Sequence, residues 1–374
     1  MSAYGSAPVT TERDVDAIRR ACTRAIAHHY RRSPHEVLTE LAATIDPALQ
    51  ADIYGQGGPI APFEAEIATL LGKEAAVFMP SGTMCQQIAL RIWAERHGRR
   101  TVGMHPRNHL DTFEHHAYQV LHNLRGVPIG DPDRLLTSAD LAKVAEPLGT
   151  LLIELPQREI GGQLPSWDEL LAITTWARER DIALHLDGAR LWESSPFYAR
   201  PYAEIAALFD TVYVSFYKGL GGIAGAILAG PTDVIAEARI WQRRHGGNLI
   251  HLYPYVLSAR DGLRKRLDLM PRYHEQAVAI ATALTALSGL DLVPNPPHTH
   301  MFHLYLRGDR ARLLDAALDI AAETGIWTFE RLGATPLPNV HKLELTVGDA
   351  TLDLTAEEIV GVFTAVLERA GASG

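Results

Sequence analysis

Cysteine, long apolar runs and basic clusters are all scarce in this chain. Only Cys22 and Cys85 occur among 374 residues, far apart and without zinc-site spacing, so neither a disulfide scaffold nor a cysteine metal site is supported. No apolar run approaches the ~18 residues of a membrane-spanning helix, and the N-terminus lacks the basic-then-apolar pattern of a secretion signal. We therefore expect a protein of the reducing cytoplasm, without a membrane partner.

Charge is moderate and dispersed. The formal net charge is −9, and arginine pairs such as Arg31–Arg32 and Arg99–Arg100 are scattered, so no basic face for nucleic acid is indicated. Histidine is plentiful, but His109, His115 and His116 lack the paired spacing with an acid that zinc hydrolases use. We predict neither a nucleic-acid partner nor a metal.

The stretch from Asp181 to Gly225 is the most informative part of the sequence. The string ALHL predicts a buried strand that delivers Asp187 at its end, AEIAALF predicts a helix, and TVYVSFY predicts the next strand, which leads to Lys218. Ligands sit at the carboxyl edge of an open parallel sheet. We therefore expect Asp187 and Lys218 to share a cleft.

The residues around Lys218 favour a covalent role for its amine. The following segment, GLGGIAG, is rich in glycine and so has few side chains, as expected where a planar ligand approaches the backbone. An amine in a partly desolvated pocket loses its proton more easily than in water, and a lysine that forms a Schiff base requires this. A carboxylate such as Asp187 on the other side of the pocket can keep a pyridinium nitrogen protonated. Taken alone, however, a lysine among glycines is more often a solvated loop lysine.

Two strings in this stretch resemble those of a known family. DGARLW and SFYKGLGG are similar to the H-x-D-G-A-R and S-x-x-K-G patterns around the pyridoxal 5'-phosphate (PLP) site of the threonine aldolase or β-eliminating lyase family. The resemblance covers residues 50 to 260 strongly and the rest weakly. It implies PLP as the cofactor, bound through Lys218 and Asp187.

The resemblance also implies an architecture. The expected fold class is α/β, like fold-type-I PLP-dependent transferases such as aspartate aminotransferase. Its large domain contains a mixed, mostly parallel seven-stranded sheet, and a small C-terminal α+β domain follows. We place the N-terminal helical segment at residues 1–50, the PLP-binding domain at 51–256 and the small domain at 257–374. Within these segments the sequence predicts an amphipathic helix from Glu12 to Tyr30 and a long helix from about Leu257 into the 280s.

Several polar residues take cofactor-binding roles from the resemblance. The family's P-S-G-T-M loop cradles the cofactor phosphate, which assigns phosphate contacts to Ser81, Gly82 and Thr83. Backbone amides at a helix start favour an anion, although a plain helix cap has the same signature. Ser215 resembles the second phosphate hydroxyl. The D-x-Y-G loop implies that Tyr54 reaches the substrate in a neighbouring subunit's site.

Two further residues are implied to face the ring and the substrate. NHLDTFEHHAYQVL resembles the family's H-x-x-x-x-E segment, which makes His109 the aromatic that stacks on the ring, with Glu114 beside it. Arg190 follows Asp187 by three residues, and its guanidinium suits a substrate carboxylate in the same cleft as the cofactor. The alternative for His109 is a histidine that caps a loop, and the alternative for Arg190 is a structural ion pair.

The chain departs from the family at several positions. The family's E-N-T-H reads Glu-Leu-Pro-Gln here, so Gln157, which can hydrogen-bond but not titrate, replaces a histidine near the substrate hydroxyl. Residues 249–250 and Leu343 stand where arginines are usual, and Arg243 or Arg244 is a candidate for the missing charge. The N-terminal D-x-R-S-D-T string is absent.

The expected function is PLP-dependent cleavage of β-hydroxy-α-amino acids of the threonine or allo-threonine type to glycine and an aldehyde. Lys218, Asp187, His109 and Gln157 are the implied catalytic residues, with His109 or a water held by Gln157 as the base. Another PLP reaction on the same scaffold, such as β-elimination, transaldol exchange or transamination, remains the alternative. A non-catalytic nucleotide-binding module is not supported, because no G-x-G-x-x-G motif follows the early strands of this chain. We expect a homodimer or homotetramer with shared active sites.

Overall fold

The computed structural model describes residues 14–372. The earlier part of the predicted N-terminal segment, residues 1–13, lies outside the described residues. The helices are α1 Val15–Ala21, α2 Pro34–Ala43, α3 Ile60–Leu70, α4 Gly82–His97, α5 His109–Phe113, α6 Ala117–His122, α7 Ser138–Leu141, α8 Trp167–Arg178, α9 Ser195–Tyr198, α10 Tyr202–Ala206, α11 Thr232–Arg244, α12 Tyr253–Arg266, α13 Met270–Leu284, α14 Arg310–Thr324 and α15 Ala356–Arg369. The strands are β1 Arg24–Ala25, β2 Ala75–Met79, β3 Thr101–Met104, β4 Arg125–Pro128, β5 Thr150–Glu154, β6 Ala183–Gly188, β7 Thr211–Ser215, β8 Ala226–Gly230, β9 Leu290–Val293, β10 Met301–Arg307, β11 Ile326–Trp327, β12 Gly333–Ala334 and β13 Val340–Thr346.

The larger of two compact units comprises residues 32–160 and 164–269 and is built on a seven-stranded sheet. The strand order is β2-β8-β7-β6-β5-β3-β4. Strands β7, β6, β5, β3 and β4 are all parallel to one another, whereas β8 is antiparallel to both β7 and β2. The predicted mixed, mostly parallel seven-stranded sheet is confirmed.

Strand direction brings several strand ends to one edge of this sheet. Because β2 and β7 are both antiparallel to β8, they are parallel to each other. Strands β2, β5, β6 and β7 therefore end at the same edge, and the chain segments that follow them meet there. All residues of β6, β7 and β8 are buried, as is typical of strands covered on both faces.

Helix α4 begins at this edge and covers one face of the sheet. Its apolar residues Ile88, Ile92 and Trp93 join a buried cluster with Ala183 of β6 and Tyr213 of β7. Fully burying one such side chain contributes about 1.5–3 kcal/mol. This packing fixes the N-terminus of α4 beside the ends of β6 and β7.

The smaller unit contains the described residues 14–31 together with 161–163 and 270–372. Its sheet is antiparallel in the order β12-β13-β10-β9, and β1 pairs with β11 in a separate two-stranded sheet. Helix α15 packs against α13 and α14. The antiparallel sheet and these helices confirm the predicted α+β character of the C-terminal part.

Two helix predictions are corrected by the structure. The amphipathic helix predicted from Glu12 to Tyr30 ends at Ala21 in α1, because the chain then becomes extended and Arg24–Ala25 pairs with β11. The long helix predicted from Leu257 into the 280s is two helices, α12 and α13, separated by a 3-10 turn at Leu267–Leu269. Pro271 explains the break, since it has no N–H with which to continue the helix from α12.

Within residues 14–372, no helix combines the length and apolarity needed to cross a lipid bilayer.

Candidate active site

Lys218 lies in a loop between two antiparallel neighbours. Strand β7 ends at Ser215 and β8 begins at Ala226, so the loop turns back at the sheet edge described above. Phe216 N donates to Gly225 O at 3.1 Å, and Gly222 N donates to Phe216 O at 2.7 Å. A Cβ on Gly222 would lie 2.8 Å from the Phe216 oxygen, which explains the glycine. The loop is thus fixed by backbone contacts on both sides of the lysine.

Asp187 occupies the end of the adjacent strand β6. It lies opposite Tyr213 in the β6–β7 register, is 2% exposed, and accepts a hydrogen bond from Ala189 N at 3.1 Å. Burial raises the pKa of Asp187, while the charges of His109 and Lys218 favour its ionised form. The structure therefore brings Asp187 and Lys218 into one electrostatic environment at the sheet edge.

The N-terminus of α4 presents backbone amides close to these two residues. Ser81 is the N-cap, and its Oγ accepts from Met84 N at 3.3 Å. A Cβ on Gly82 would lie 1.8 Å from the Tyr213 hydroxyl, so the close packing of α4 on β7 requires glycine. Thr83 follows in the first turn and is half-buried.

His109 begins the short helix α5, and Glu114 lies directly after this helix. His109 Nδ1 donates to Glu114 Oε1 at 3.1 Å, and the Glu114 side chain is 3% exposed. Burial alone would lower the pKa of His109, but the hydrogen bond to Glu114 and the charge of Asp187 outweigh it and raise the pKa. His109 thus has one nitrogen engaged by Glu114 and lies within the field of Asp187.

Gln157 is tied to its own neighbourhood by its amide nitrogen. Gln157 Nε2 donates to Arg107 O and to Glu154 Oε2, both at 3.0 Å, and the side chain is buried. A nitrogen that makes two such hydrogen bonds has no further proton with which to bind a water. Only the amide oxygen of Gln157 remains for a ligand.

Arg190 and Ser215 lie next to Asp187 and Lys218 in the chain but already have contacts. Arg190 Nε lies 3.8 Å from Glu193 Oε1, and the arginine side chain is 14% exposed. The Ser215 hydroxyl donates to Ala189 O at 2.7 Å, so its oxygen can accept a hydrogen bond but its proton is engaged. The binding roles of both residues stay predictions.

Tyr54 is on the surface of the larger unit and is 48% exposed. Its N–H donates to Ile250 O, and Arg243 lies over its ring at 5.7 Å. The loop is anchored by Asp52, which is fully buried and accepts hydrogen bonds from the backbone N–H groups of Leu252 and Tyr253. The described contacts of Tyr54 are therefore with Ile250 and Arg243, and its role at a neighbouring subunit's site stays a prediction.

One group with unusual chemistry escaped the sequence analysis. Glu154 lies at the end of β5 directly opposite Asp187 of β6; it is half-buried, and desolvation together with the charge of Asp187 raises its pKa. The sequence did contain a signal for this contact, because Glu154 and Asp187 each follow a run of apolar strand residues. Neighbouring parallel strands end side by side, so acids at the ends of two such strands can be expected to lie next to each other.

These residues fit a phosphorylated pyridine aldehyde such as PLP. Gly82 lets the start of α4 pack closely against Tyr213, and the first turn of this 16-residue helix has backbone amides suited to a phosphate. Asp187 supplies a buried carboxylate for a ring nitrogen, and Lys218 supplies a primary amine for the aldehyde. Among residues 14–372, no group of three His, Cys, Asp or Glu side chains is arranged to hold a metal ion.

Comparison with known proteins places the chain among related sequences. Residues 42–307 match the pattern of a family described as β-eliminating lyase. The chain is 33% identical to the aldolase vrtJ of Penicillium aethiopicum over 262 residues, which are 67% of this chain and 66% of that protein. It is 30% identical to the low specificity L-threonine aldolase of Escherichia coli (strain K12) over 239 residues, 62% of this chain and 71% of that protein.

Among solved structures, the chain is similar to a candidate L-allo-threonine aldolase from Listeria monocytogenes EGD-E. The two share 44% identity with a TM-score of 0.90, over 95% of this chain and 99% of that chain.

Proposed function

The chain belongs to the β-eliminating lyase family, and from that premise we propose that it uses PLP to cleave β-hydroxy-α-amino acids of the threonine type into glycine and an aldehyde. The observation that carries this proposal is the 44% identity, over 95% of the chain, to a candidate L-allo-threonine aldolase of the same fold. The relative from Escherichia coli that is named a threonine aldolase points to the same reaction. The polar groups at the sheet edge are those that the chemistry needs.

Bound PLP supplies the electron sink that accepts the bonding electrons released when Cα–Cβ breaks. Lys218 provides the amine that holds the cofactor aldehyde, and the amides from Ser81 to Thr83 hold its phosphate. Asp187 keeps the ring nitrogen protonated, and its burial at 2% exposure strengthens that interaction because water is excluded. Ser215 completes the phosphate site as a hydrogen-bond donor, once its hydroxyl has left Ala189 O.

The remaining residues act on the substrate. Arg190 binds the carboxylate and so orients the bond to be broken. His109 stacks on the ring and moves a proton through Nε2, because Nδ1 is held by Glu114. Gln157 orients the substrate hydroxyl through its amide oxygen, since its nitrogen is engaged by Arg107 and Glu154.

The protein acts as a homodimer or homotetramer in the cytoplasm. Tyr54 is left exposed together with Ile53 and Ile250, which are 59% and 50% exposed, and a second copy of the chain would cover this apolar surface. In that assembly Tyr54 reaches the substrate of the neighbouring subunit. The two free cysteines, Cys22 and Cys85, are compatible with a reducing compartment. Light scattering of the purified protein measures the assembly state.

A β-elimination reaction is the second candidate. It is favoured by the position of Gln157, which offers no titratable group where the related pattern has a histidine. Elimination would release ammonia and a 2-oxo acid instead of glycine. It would use the same residues to hold PLP.

The test is a product analysis with threonine, allo-threonine and phenylserine. The aldolase predicts equal amounts of glycine and aldehyde, without any added 2-oxo acid. Ammonia with a 2-oxo acid would identify elimination, and a requirement for an added 2-oxo acid would identify transamination. If no glycine forms from any of the three substrates, the aldolase proposal is wrong.

A further inference from the structure

Two tyrosine hydroxyls lie together at the start of α4. A Cβ built on Gly82 would lie 1.8 Å from the Tyr213 hydroxyl, so this oxygen is in contact with the first residue of the helix. The Tyr217 hydroxyl lies 3.4 Å from the Tyr213 hydroxyl. Both phenols therefore reach the helix end to which the phosphate of PLP is assigned.

The two tyrosines belong to the segment that leads to Lys218. Tyr213 is in strand β7, opposite Asp187 of β6, and is 4% exposed. Tyr217 lies two residues beyond the end of β7 and is half-buried, and the Nζ of the next residue, Lys218, lies 5.3 Å from the centroid of the Tyr217 ring. In PLP the aldehyde and the phosphate arm are carried by neighbouring ring carbons. The Tyr217 side chain thus extends from the lysine that holds the aldehyde towards the helix end that holds the phosphate.

The two hydroxyls have one proton each, and only one of these protons can lie in the contact between the oxygens. If Tyr217 donated to Tyr213, the Tyr213 proton would be left in a buried place without an acceptor, which folded proteins rarely tolerate. Tyr213 is therefore the donor and Tyr217 the acceptor. Among the contacts of residues 14–372, nothing accepts the proton of Tyr217, and burial raises the pKa of this phenol, so the proton stays in place.

We propose that Tyr217 donates its hydroxyl proton to the phosphate of PLP, and that Tyr213 is a positioning residue that holds the Tyr217 oxygen where this requires. The inference rests on the proposed PLP site at α4 and adds two side chains to it. Hydrogen bonds to a charged acceptor such as phosphate are about twice as strong as neutral ones. The Ser215 proton is engaged by Ala189 O, whereas the Tyr217 proton is available without any rearrangement.

The test compares the binding of PLP and of pyridoxal, which has the same ring and aldehyde but no phosphate, to the cofactor-free full-length protein. Tyr217→Phe removes only the hydroxyl. We expect its dissociation constant for PLP to rise about 10-fold or more, as for the loss of a hydrogen bond to a charged group, while that for pyridoxal stays nearly unchanged. Absorbance of the bound ligands measures both constants, and the 31P NMR resonance of bound PLP should move in Tyr217→Phe.

Two further variants complete the comparison. Tyr213→Phe should weaken PLP binding less than Tyr217→Phe and shift the 31P resonance less, again without affecting pyridoxal. Tyr198→Phe is the matched control, because this buried tyrosine has its own acceptor, Pro165 O at 3.0 Å. It should change neither constant.

Each other result would overturn the proposal. An unchanged PLP constant in Tyr217→Phe would mean that the hydroxyl donates only to water. An equal loss for PLP and pyridoxal would mean that Tyr217 contacts the ring or Lys218 instead of the phosphate. If Tyr217→Phe does not fold, an unmoved 31P resonance in Tyr213→Phe would contradict the proposal. These results leave the proposed function standing, whereas failure of the wild-type protein to bind PLP would overturn both.

Discussion

His109 donates its Nδ1 proton to Glu114 Oε1 across 3.1 Å, and this contact makes Glu114 the residue that sets the charge of the imidazole. Replacing Glu114 by Gln keeps an acceptor oxygen but removes the negative charge. We expect the pKa of His109 to fall, which NMR of the ring nitrogens measures. Glu95→Gln, which removes a surface carboxylate on α4, is the control and should leave the His109 midpoint unchanged.

The same pair makes stability depend on pH. A histidine with a raised pKa in the folded protein stabilises it fully below the unfolded value near 6.5, and this contribution is lost as pH rises through the folded pKa. Glu114→Gln should therefore lower the free energy of unfolding more at about pH 5.5 than at about pH 8.5. Urea denaturation at the two pH values measures this, and an equal loss at both would contradict it.

Lys218→Ala should abolish covalent attachment of PLP while the protein stays folded, because only a primary amine can bond the cofactor aldehyde. Borohydride reduction followed by mass spectrometry of peptides detects the attachment. Lys73→Ala is the matched control. Burial lowers the pKa of Lys73 to about 8, but this lysine precedes β2 at the opposite edge of the sheet. A reduced PLP adduct that persists in Lys218→Ala and disappears in Lys73→Ala would show that PLP is attached at Lys73 instead.

Asp187→Asn preserves shape but withdraws the charge that keeps a ring nitrogen protonated. We expect turnover of threonine to fall by about 10²-fold or more, as when a few kcal/mol of ionic stabilisation are lost. Asp210→Asn tests a carboxylate at the other end of the same strand pair, where its oxygen accepts from Leu184 N, and should change turnover little. If Asp187→Asn is as active as the wild-type protein, Asp187 has only a structural role.

Gly82→Ala should weaken PLP binding and lower the melting temperature, since the new Cβ meets the Tyr213 hydroxyl at the start of α4. Gly361→Ala on α15 is the contrasting substitution, because nothing lies within 4 Å of its added Cβ. Alanine in a helix interior is favoured over glycine by about 1 kcal/mol, so the control should raise the melting temperature slightly. Calorimetry and cofactor titration measure both effects. Unaltered cofactor affinity in Gly82→Ala would count against a phosphate site at α4.

Gln157→His restores a titratable side chain at the substrate end. On an aldolase, cleavage of threonine and allo-threonine should be preserved or raised and should acquire a new pH dependence between about pH 6 and 9. A neutral imidazole has one N–H group where the Gln157 amide has two, so the links to Arg107 and Glu154 cannot both remain in the neutral form. Glycine and acetaldehyde are measured for both proteins. Lower native activity without any gain in glycine would favour a different reaction.

Strand positions were predictable because they rest on short apolar runs. The strings around Asp187 and Lys218 are buried strands whose ends meet, as their composition indicates. Glu154 was missed because its importance comes from lying beside Asp187 in the sheet, and a pairing register is not visible in one strand alone. Sequence patterns therefore locate single strand ends better than the contacts between them.

Helix ends and side-chain partners were less predictable. The extended segment after Ala21 arises from pairing of Arg24–Ala25 with residues about 300 positions away, which local periodicity cannot reveal. The engaged nitrogen of Gln157 likewise depends on the carbonyl of Arg107, fifty residues earlier. Local pattern determined the residue types at the site, whereas long-range pairing determined which of their atoms stay available.

The hydrogen bonds of Asp52 also determine when, during synthesis of the chain, the loop that carries Tyr54 can fold. Its carboxylate is satisfied by the N–H groups of Leu252 and Tyr253, about 200 residues later. A nascent chain that has not reached Leu252 therefore has no partner for this acid, and contacts so distant in sequence form slowly. The surface carrying Tyr54 thus takes shape only after most of the large sheet has been synthesised, so self-association through it follows folding of the subunit.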